Sequence, residues 1–258
     1  MRRRSLTAIS LAFLLSAVGG CAARSIHADT QPHLADGSIQ LNEHALRLHF
    51  ANPGAVGSRP LLVYATGDGG WHRKDLGTYR RLVSSGNPLV GFDARDYVTH
   101  LGPAADATTT PARLAADYAR IIDAARGALG LPAAYPVVLV GVSRGAGLAV
   151  VAAGQGTLRA SIGGVLAIAL TREEEYVNEA QLYQYLSRLE DMPVAVVQST
   201  RDGYLPADEA RRLFGPDTPY RWLQPIQARN HSFGGARGEM YQAAGRALDW
   251  IESLIARG

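Results

Sequence analysis

The stretch 136–153 constrains the fold more than any other part of this chain. Pro136-Val-Val-Leu-Val140 is an unbroken apolar, β-branched run of strand length. Ala146–Ala153 follows it closely as a helical run of small and apolar residues. Between them stands Gly141-Val142-Ser143-Arg144-Gly145, a G-x-S-x-G. The spacing alone says little in a chain with 28 glycines, but the strand before it and the helix after it are specific. A strand that turns straight into a helix strains the serine backbone and lifts its hydroxyl above the sheet edge. Glycines flank the turn because a Cβ there would collide with the neighbouring strand and helix. The free N–H groups of the helix start also face any negative charge that develops at the serine. The bland reading is a plain tight turn. A phosphate loop fits poorly, since the Walker lysine and the G-x-G-x-x-G spacing are both missing.

The rest of the chain repeats this alternation. Strand patterns are expected at Ile39–Phe50 (as an antiparallel edge), Leu61–Ala65, Leu89–Phe92, Val137–Val140, Val165–Leu170, Val194–Gln198 and Trp222–Ala228. Helical patterns fall near Leu76–Ser84, Pro111–Leu129, Ala146–Ala153, Glu173–Leu189, Ala207–Phe214 and Gly238–Ala256. Thr110 is a good N-cap with Pro111 at the first helical position. Alternating short strands and helices imply an α/β fold around a mostly parallel sheet, in one domain spanning residues 38–258. Arg95–Thr110 is expected to be a long irregular loop.

Residues 1–20 read as an address. Arg2–Arg4 form a positive n-region, and Leu6–Val18 is apolar but too short to span a bilayer comfortably. Val18-Gly19-Gly20-Cys21 then resembles a bacterial lipobox, with Cys21 as the lipidated first residue of the mature chain. Ordinary cleavage nearby, leaving a free thiol, is the alternative, and the export route stays open. Residues 21–37 are polar and aperiodic and read as a tether. Ala22 after the cysteine favours the outer membrane over the inner one in the lipoprotein pattern. The expected location is therefore periplasmic and lipid-anchored, with the membrane reached through Cys21. The formal charge of +3 comes from 26 basic against 23 acidic residues, and the surplus is Arg2, Arg3 and Arg4. The mature chain is neutral, so nothing points to a nucleic-acid partner. One cysteine permits no internal disulfide.

A serine needs a base at neutral pH, and the base needs an orienting acid. Of seven histidines, His231 alone follows the last strand pattern, in the loop Arg229–Gly235 before the final helix. Strand ends on that side of a parallel sheet also carry Ser143. Asp202, just after Val194–Gln198, is the candidate acid, with Glu173, Glu174 and Glu175 as competing positions. A turn aspartate before glycine is the plain reading of Asp202. Thr66-Gly67-Asp68-Gly69-Gly70-Trp71 follows an early strand, where a backbone N–H can help bind an oxyanion. The donors assigned are Asp68 and Arg144, with Gly69 in reserve.

The order Ser143, Asp202, His231 on strand ends, with that loop upstream, resembles an α/β-hydrolase over residues 40–256. More narrowly, Gly67–Trp71, the start of the Pro111–Asp117 helix and the Ser143 turn resemble the VirJ/AcvB-like bacterial virulence family. The resemblance implies an α/β-hydrolase fold with helices on both faces of the sheet. It also implies a periplasmic or surface-anchored protein, and some members of the family hydrolyse aminoacyl-phosphatidylglycerol. The turn departs from the family's G-Y-S-F-G-A-D type and reads G-V-S-R-G-A-G, so the substrate does not carry over with the triad.

These expectations make the chain a serine hydrolase cleaving an ester, with Ser143 as nucleophile. The rival class is a non-catalytic binding protein on the same scaffold, assisting secretion. Trp71, Glu173 and Tyr176 are candidate pocket walls, and the Glu173–Glu175 run can receive a cationic head group or simply start a helix. Arg144 beside the serine would suit an anionic substrate, or else pair with a nearby acid. No His/Asp/Glu set has metal-ligand spacing, so neither a metal nor an organic cofactor is expected. Oligomeric state is left open.

Overall fold

The alternation read from the sequence builds an eight-stranded sheet, beside which a short two-stranded one stands. The structure, a computed structural model, describes residues 33–41, 43–53, 59–101, 108–177 and 180–257. The elements in chain order are β1 (His33–Leu41), β2 (His44–Asn52), β3 (Leu61–Ala65), α1 (Arg73–Val83), β4 (Leu89–Phe92), α2 (Ala94–Thr99) and α3 (Pro111–Leu129). There follow β5 (Val137–Val142), α4 (Arg144–Ala153), α5 (Gly156–Arg159), β6 (Gly164–Ile168), β7 (Glu173–Glu174), β8 (Ala180–Gln181) and α6 (Leu182–Leu186). The chain closes with β9 (Val194–Ser199), α7 (Ala207–Phe214), β10 (Arg221–Ile226) and α8 (Arg237–Ile255). Among the described residues the main sheet runs β1-β2-β4-β3-β5-β6-β9-β10. The β1–β2 and β2–β4 pairs are antiparallel, and every later pair is parallel.

Burial explains why the central strands are almost wholly apolar, with Gln198 and Ser199 at the end of β9 as buried polar members. Every residue of β3, β4, β6 and β9 is buried, as expected where helices cover both faces. Side chains alternate between two cores. Leu61, Val63 and Leu139 pack with Leu114, Tyr118 and Ile121 of α3 and with Leu148–Ala153 of α4. Leu62, Tyr64, Val138 and Val140 pack on the other side with Tyr79 and Leu82 of α1 and Met240, Leu248 and Ile251 of α8. The α3 boundary signals hold: Thr110 Oγ1 accepts the Arg113 N–H at 3.2 Å, and Gly130 closes the helix in the left-handed region at φ 65°. Pro225, which cannot complete a sheet ladder, lies in β10 at the sheet edge.

Four expectations need correction. Ile39–Phe50 is not one strand but parts of two, paired from His33↔Asn52 to Leu41↔His44, because polar Asn42-Glu43 interrupts the run. The segment read as a tether to residue 37 is therefore strand from His33 onward. The stretch read as an irregular loop from Arg95 begins as α2, started by Asp93, whose side chain accepts the Arg95 and Asp96 N–H groups. Glu173–Leu189 is not one helix but the β7–β8 hairpin followed by α6 and a short 3₁₀ turn. Tertiary contacts override helical propensity there: Glu174 turns inward to Arg144, and the Tyr176 carbonyl accepts the Thr109 N–H at 2.8 Å. Cys21 and the expected signal segment lie outside the described residues. Among those described, no helix is long and apolar enough to cross a membrane.

Candidate active site

The turn after β5 carries the strain that its sequence implies. Ser143 has φ 52° and ψ −116°, a conformation rare for any residue with a side chain. Its neighbours leave no room for larger residues. A Cβ on Gly141 would lie 2.2 Å from the Gly145 carbonyl carbon, and one on Gly145 would lie 2.3 Å from the Ala65 carbonyl oxygen. Both glycines are therefore required by close approach of β5, α4 and β3, and Ser143 is held at the end of its strand.

The structure brings Ser143, His231 and Asp202 into one hydrogen-bonded chain. His231 Nε2 lies 2.8 Å from Ser143 Oγ, and its Nδ1 lies 2.7 Å from Asp202 Oδ2. An ionised carboxylate only accepts, so Nδ1 carries the hydrogen and Nε2 is left to accept the serine proton. Asp202 is almost wholly buried, and its other bonds fix its rotamer. Oδ1 accepts the Tyr204 N–H at 2.9 Å and the Leu205 N–H at 3.3 Å, while Oδ2 accepts Gln198 Nε2 at 3.1 Å. His231 rides on a tight loop in which Asn230 Oδ1 accepts the Ser232 and Gly234 N–H groups. The Tyr204 ring meets the imidazole edge-on, with centroids 4.7 Å apart. The competing carboxylates go elsewhere: Glu174 and Glu175 bind Arg144, and Glu173 accepts Gln181 Nε2.

The Thr66–Trp71 loop lies against the serine. A Cβ on Gly67 would be 3.6 Å from Ser143 Cβ. Two aspartates hold the loop in shape. Asp75 Oδ1 accepts the Gly67 N–H at 2.8 Å and the Tyr64 hydroxyl at 3.1 Å, and burial raises its pKa. Asp93 Oδ2 accepts the Trp71 N–H at 3.2 Å. Among the described residues no protein acceptor takes the Asp68 or Arg144 backbone N–H, which leaves both donors available to a ligand. Neither Asp75 nor Asp93 stood out in the sequence. The signals were there: Asp75 is the acid in the first turn of a helix, and Asp93 directly follows a strand.

Arg144 is pinned rather than offered to a substrate. Its guanidinium reaches Asp68 at 2.8 Å, Glu174 at 3.0 Å and Glu175 at 3.2 Å, and lies 4.3 Å from the Tyr176 ring centroid. Of the two readings of Arg144, pairing with nearby acids is therefore the one the structure adopts. Burial pushes the Glu174 carboxyl up to about 7, against the pull of Arg144. Tyr176 thus backs Arg144, and Glu173 lines a cavity with Ser143. Trp71 goes elsewhere. It packs edge-on against His49 and Tyr79 and lines a separate cavity of about 700 Å³.

Two cavities meet at Ser143, with Tyr204 on the border of both. One, of about 360 Å³, is walled by Asp68, Glu173, Glu174 and Glu175 together with Arg144 and Arg172. The other, of about 520 Å³, contains His231 and Phe233, is edged by Arg73, Lys74 and Arg237, and is also lined by Asp75 and by Asp68, which it shares with the first. Carboxylates thus outnumber cations on one side of the serine, four to two, and cations outnumber carboxylates on the other, three to two.

A family model described as bacterial virulence protein (VirJ) matches residues 60–201. No curated protein matches the sequence. Among solved structures the chain is similar to Est1E from Butyrivibrio proteoclasticus, at 14% identity and a TM-score of 0.63, covering 84% of this chain and 98% of that one. A dienelactone hydrolase from Anabaena variabilis gives 18% identity and a TM-score of 0.60, covering 87% and 99%. The esterase domain of a Rhodothermus marinus protein gives 16% and 0.59, covering 86% and 98%. At such identities the likeness shows the fold, which is that of the α/β-hydrolases.

Proposed function

Since the chain belongs to the VirJ family of bacterial virulence proteins and has an α/β-hydrolase fold, we propose that it is a serine hydrolase acting on an ester. The observation that carries this reading is the continuous chain Ser143–His231–Asp202, at 2.8 and 2.7 Å. Ser143 Oγ attacks the ester carbonyl while His231 Nε2 takes its proton, and Asp202 holds the imidazole and stabilises its charge. The tetrahedral oxyanion is met by the Asp68 and Arg144 N–H groups, reinforced by the start of α4. His231 returns the proton to the leaving alcohol. Water, deprotonated by the same imidazole, then releases the acid and restores Ser143.

The substrate we infer is an aminoacyl-phospholipid. The division of charge around Ser143 supports it, because such an ester carries an ammonium on its acyl side and a phosphate on its alcohol side. Glu173 and Glu175, the exposed members of the acidic wall, suit the first, and Arg73, Lys74 and Arg237 suit the second. A lipidated Cys21 would hold the enzyme at the periplasmic face of a membrane, beside such lipids.

The experiment is fluorophosphonate labelling of the native chain beside Ser143→Ala, followed by hydrolysis of vesicles carrying aminoacyl-phosphatidylglycerol or a neutral acyl analogue. Labelling lost only in Ser143→Ala, with release of the amino acid, is the expected result. A folded native chain that does not label overturns the hydrolase reading and leaves a binding protein on this scaffold. Labelling with equal turnover of the neutral analogue overturns only the substrate.

A further inference from the structure

The antiparallel end of the sheet carries a second cluster of reactive side chains, which the proposed hydrolase chemistry does not use. His44 opens β2, Asp96 lies within α2, and His100 is the residue that ends α2. His44 Nε2 lies 3.0 Å from Asp96 Oδ2, and His100 Nδ1 lies 3.2 Å from Asp96 Oδ1. One carboxylate therefore spans two imidazoles. The two rings are stacked 3.6 Å apart and only 3° from parallel. No sequence spacing reveals the set, because His44 stands 52 residues before Asp96. From spacing no metal-ligand set was expected; folding assembles one from two distant segments.

We propose that His44, Asp96 and His100 bind one divalent transition-metal ion of the zinc class, separate from the Ser143 centre and independent of the chemistry proposed there. Donor chemistry favours such an ion, since two neutral imidazoles and a carboxylate suit zinc far better than calcium or magnesium. The spacing is close to what coordination needs. Two donors about 2.1 Å from an ion at tetrahedral angles stand about 3.4 Å apart. Each imidazole is already within that span of its own Asp96 oxygen, His44 of Oδ2 and His100 of Oδ1, and one donor atom from each residue lies within 4.8 Å of the others. The stacked rings must open so that both nitrogens and the carboxylate face one ion. His100 is the exposed member and can turn about its side-chain bonds, giving up the contact of Nδ1 with the Asp96 carbonyl at 2.8 Å.

The frame around the cluster is firm. Asp93 caps the start of α2, and the i,i+4 spacing of Asp96 and His100 presents both on one face of that single turn. Asp36, Asp93 and Asp96 line the neighbouring cavity of about 700 Å³ against Arg47, which gives the approach an anionic bias. The half-exposed cluster leaves solvent access for water as the remaining ligand, as in an open three-ligand site. A bound ion would clip β2, in the antiparallel hairpin at the sheet edge, to α2.

The test is titration of the tag-free full chain with Zn(II) by calorimetry, and with Co(II) by visible absorption. One equivalent should bind, with a Co(II) d–d band and a raised Tm. His100→Gln and Asp96→Asn should each weaken binding by about 100-fold or more, as expected for loss of a direct ligand. Ser143→Ala and His231→Gln should bind as the native chain does. His100→Gln changes an exposed side chain, so an unchanged metal-free Tm separates lost ligation from lost folding. Binding that survives both cluster substitutions, disappears with His231→Gln, or is missing from the native chain overturns the proposal.

Discussion

Replacing Glu174 by Gln gives the sharpest measure of how the serine's surroundings are built. Glu174 is buried, and burial moves its carboxyl from an ordinary 4.5 to about 7 despite the Arg144 guanidinium 3.0 Å away. The folded chain therefore keeps a proton on Glu174 that the unfolded chain has already released. Between pH 4.5 and 7 the folded state binds more protons, so stability falls as pH rises across that window. At 1.36 kcal/mol per tenfold change in proton affinity, the difference amounts to about 3 kcal/mol once both states are ionised. Glu174→Gln removes the titration. Its stability should match the native chain near pH 4.5 and exceed it by about 3 kcal/mol at pH 8. Urea unfolding of both proteins across this range reads the difference directly, with each midpoint converted through its own slope. Curves that run parallel from pH 4.5 to 8 would refute the reasoning, because they would mean that the folded state does not penalise the ionised carboxylate.

Four further outcomes follow from the same contacts. Gly145→Ala sets a Cβ 2.3 Å from the Ala65 carbonyl oxygen, so chemical denaturation should show a loss of about 3 kcal/mol or more. Asp202→Asn should lower kcat by about 10⁴-fold in ester turnover while the protein stays folded, because His231 then takes the wrong tautomer. Asp75→Ala removes the acceptor that fixes Gly67, and a shift of that loop should lower kcat by about 10²-fold with little change in KM; Asp75→Asn, which keeps an oxygen there, should recover most of it. Arg144→Phe leaves Glu174 buried without its cation and should destabilise by about 3 kcal/mol at pH 8 in thermal or urea unfolding. Adding Glu174→Gln to that variant should restore much of the loss.

How much could be read in advance depended on whether a signal was local. The sheet was legible because buried parallel strands such as Leu61–Ala65 and Gly164–Ile168 carry no charged or amide side chain at any position, and α3 because Thr110, Pro111 and Gly130 mark its ends. The placement of Ser143, Asp202 and His231 on one edge followed from strand ends in order. The misreadings came where tertiary contacts decide. Glu173–Leu189 has helical composition, yet Glu174 is drawn to Arg144 and the backbone to Thr109. Trp71 sits in the glycine-rich loop but turns toward His49 and Tyr79, away from the serine. The acids that hold the loop, Asp75 and Asp93, and the His44–Asp96–His100 cluster depend on partners that sequence spacing does not place together.

The turn itself shows where selectivity can change without disturbing the chemistry. Its geometry fixes Gly141, Ser143 and Gly145, because a Cβ on either glycine would strike backbone and the serine must sit at the strained corner. Positions 142 and 144 carry no such constraint, and their side chains diverge. Val142 lines the cavity that holds His231 and the cationic rim, while Arg144 lines the one walled by Glu173, Glu174 and Glu175. Each residue flanking Ser143 thus belongs to one of the two cavities. A bulky aromatic at 144 could not ion-pair with Asp68, Glu174 and Glu175, so those three carboxylates would need another cation. Arg144 holds the acidic wall together while its backbone N–H remains available beside Ser143. Replacing its side chain therefore alters the charge offered to a substrate, and the hydrogen-bonded chain through His231 and Asp202 is left as it was.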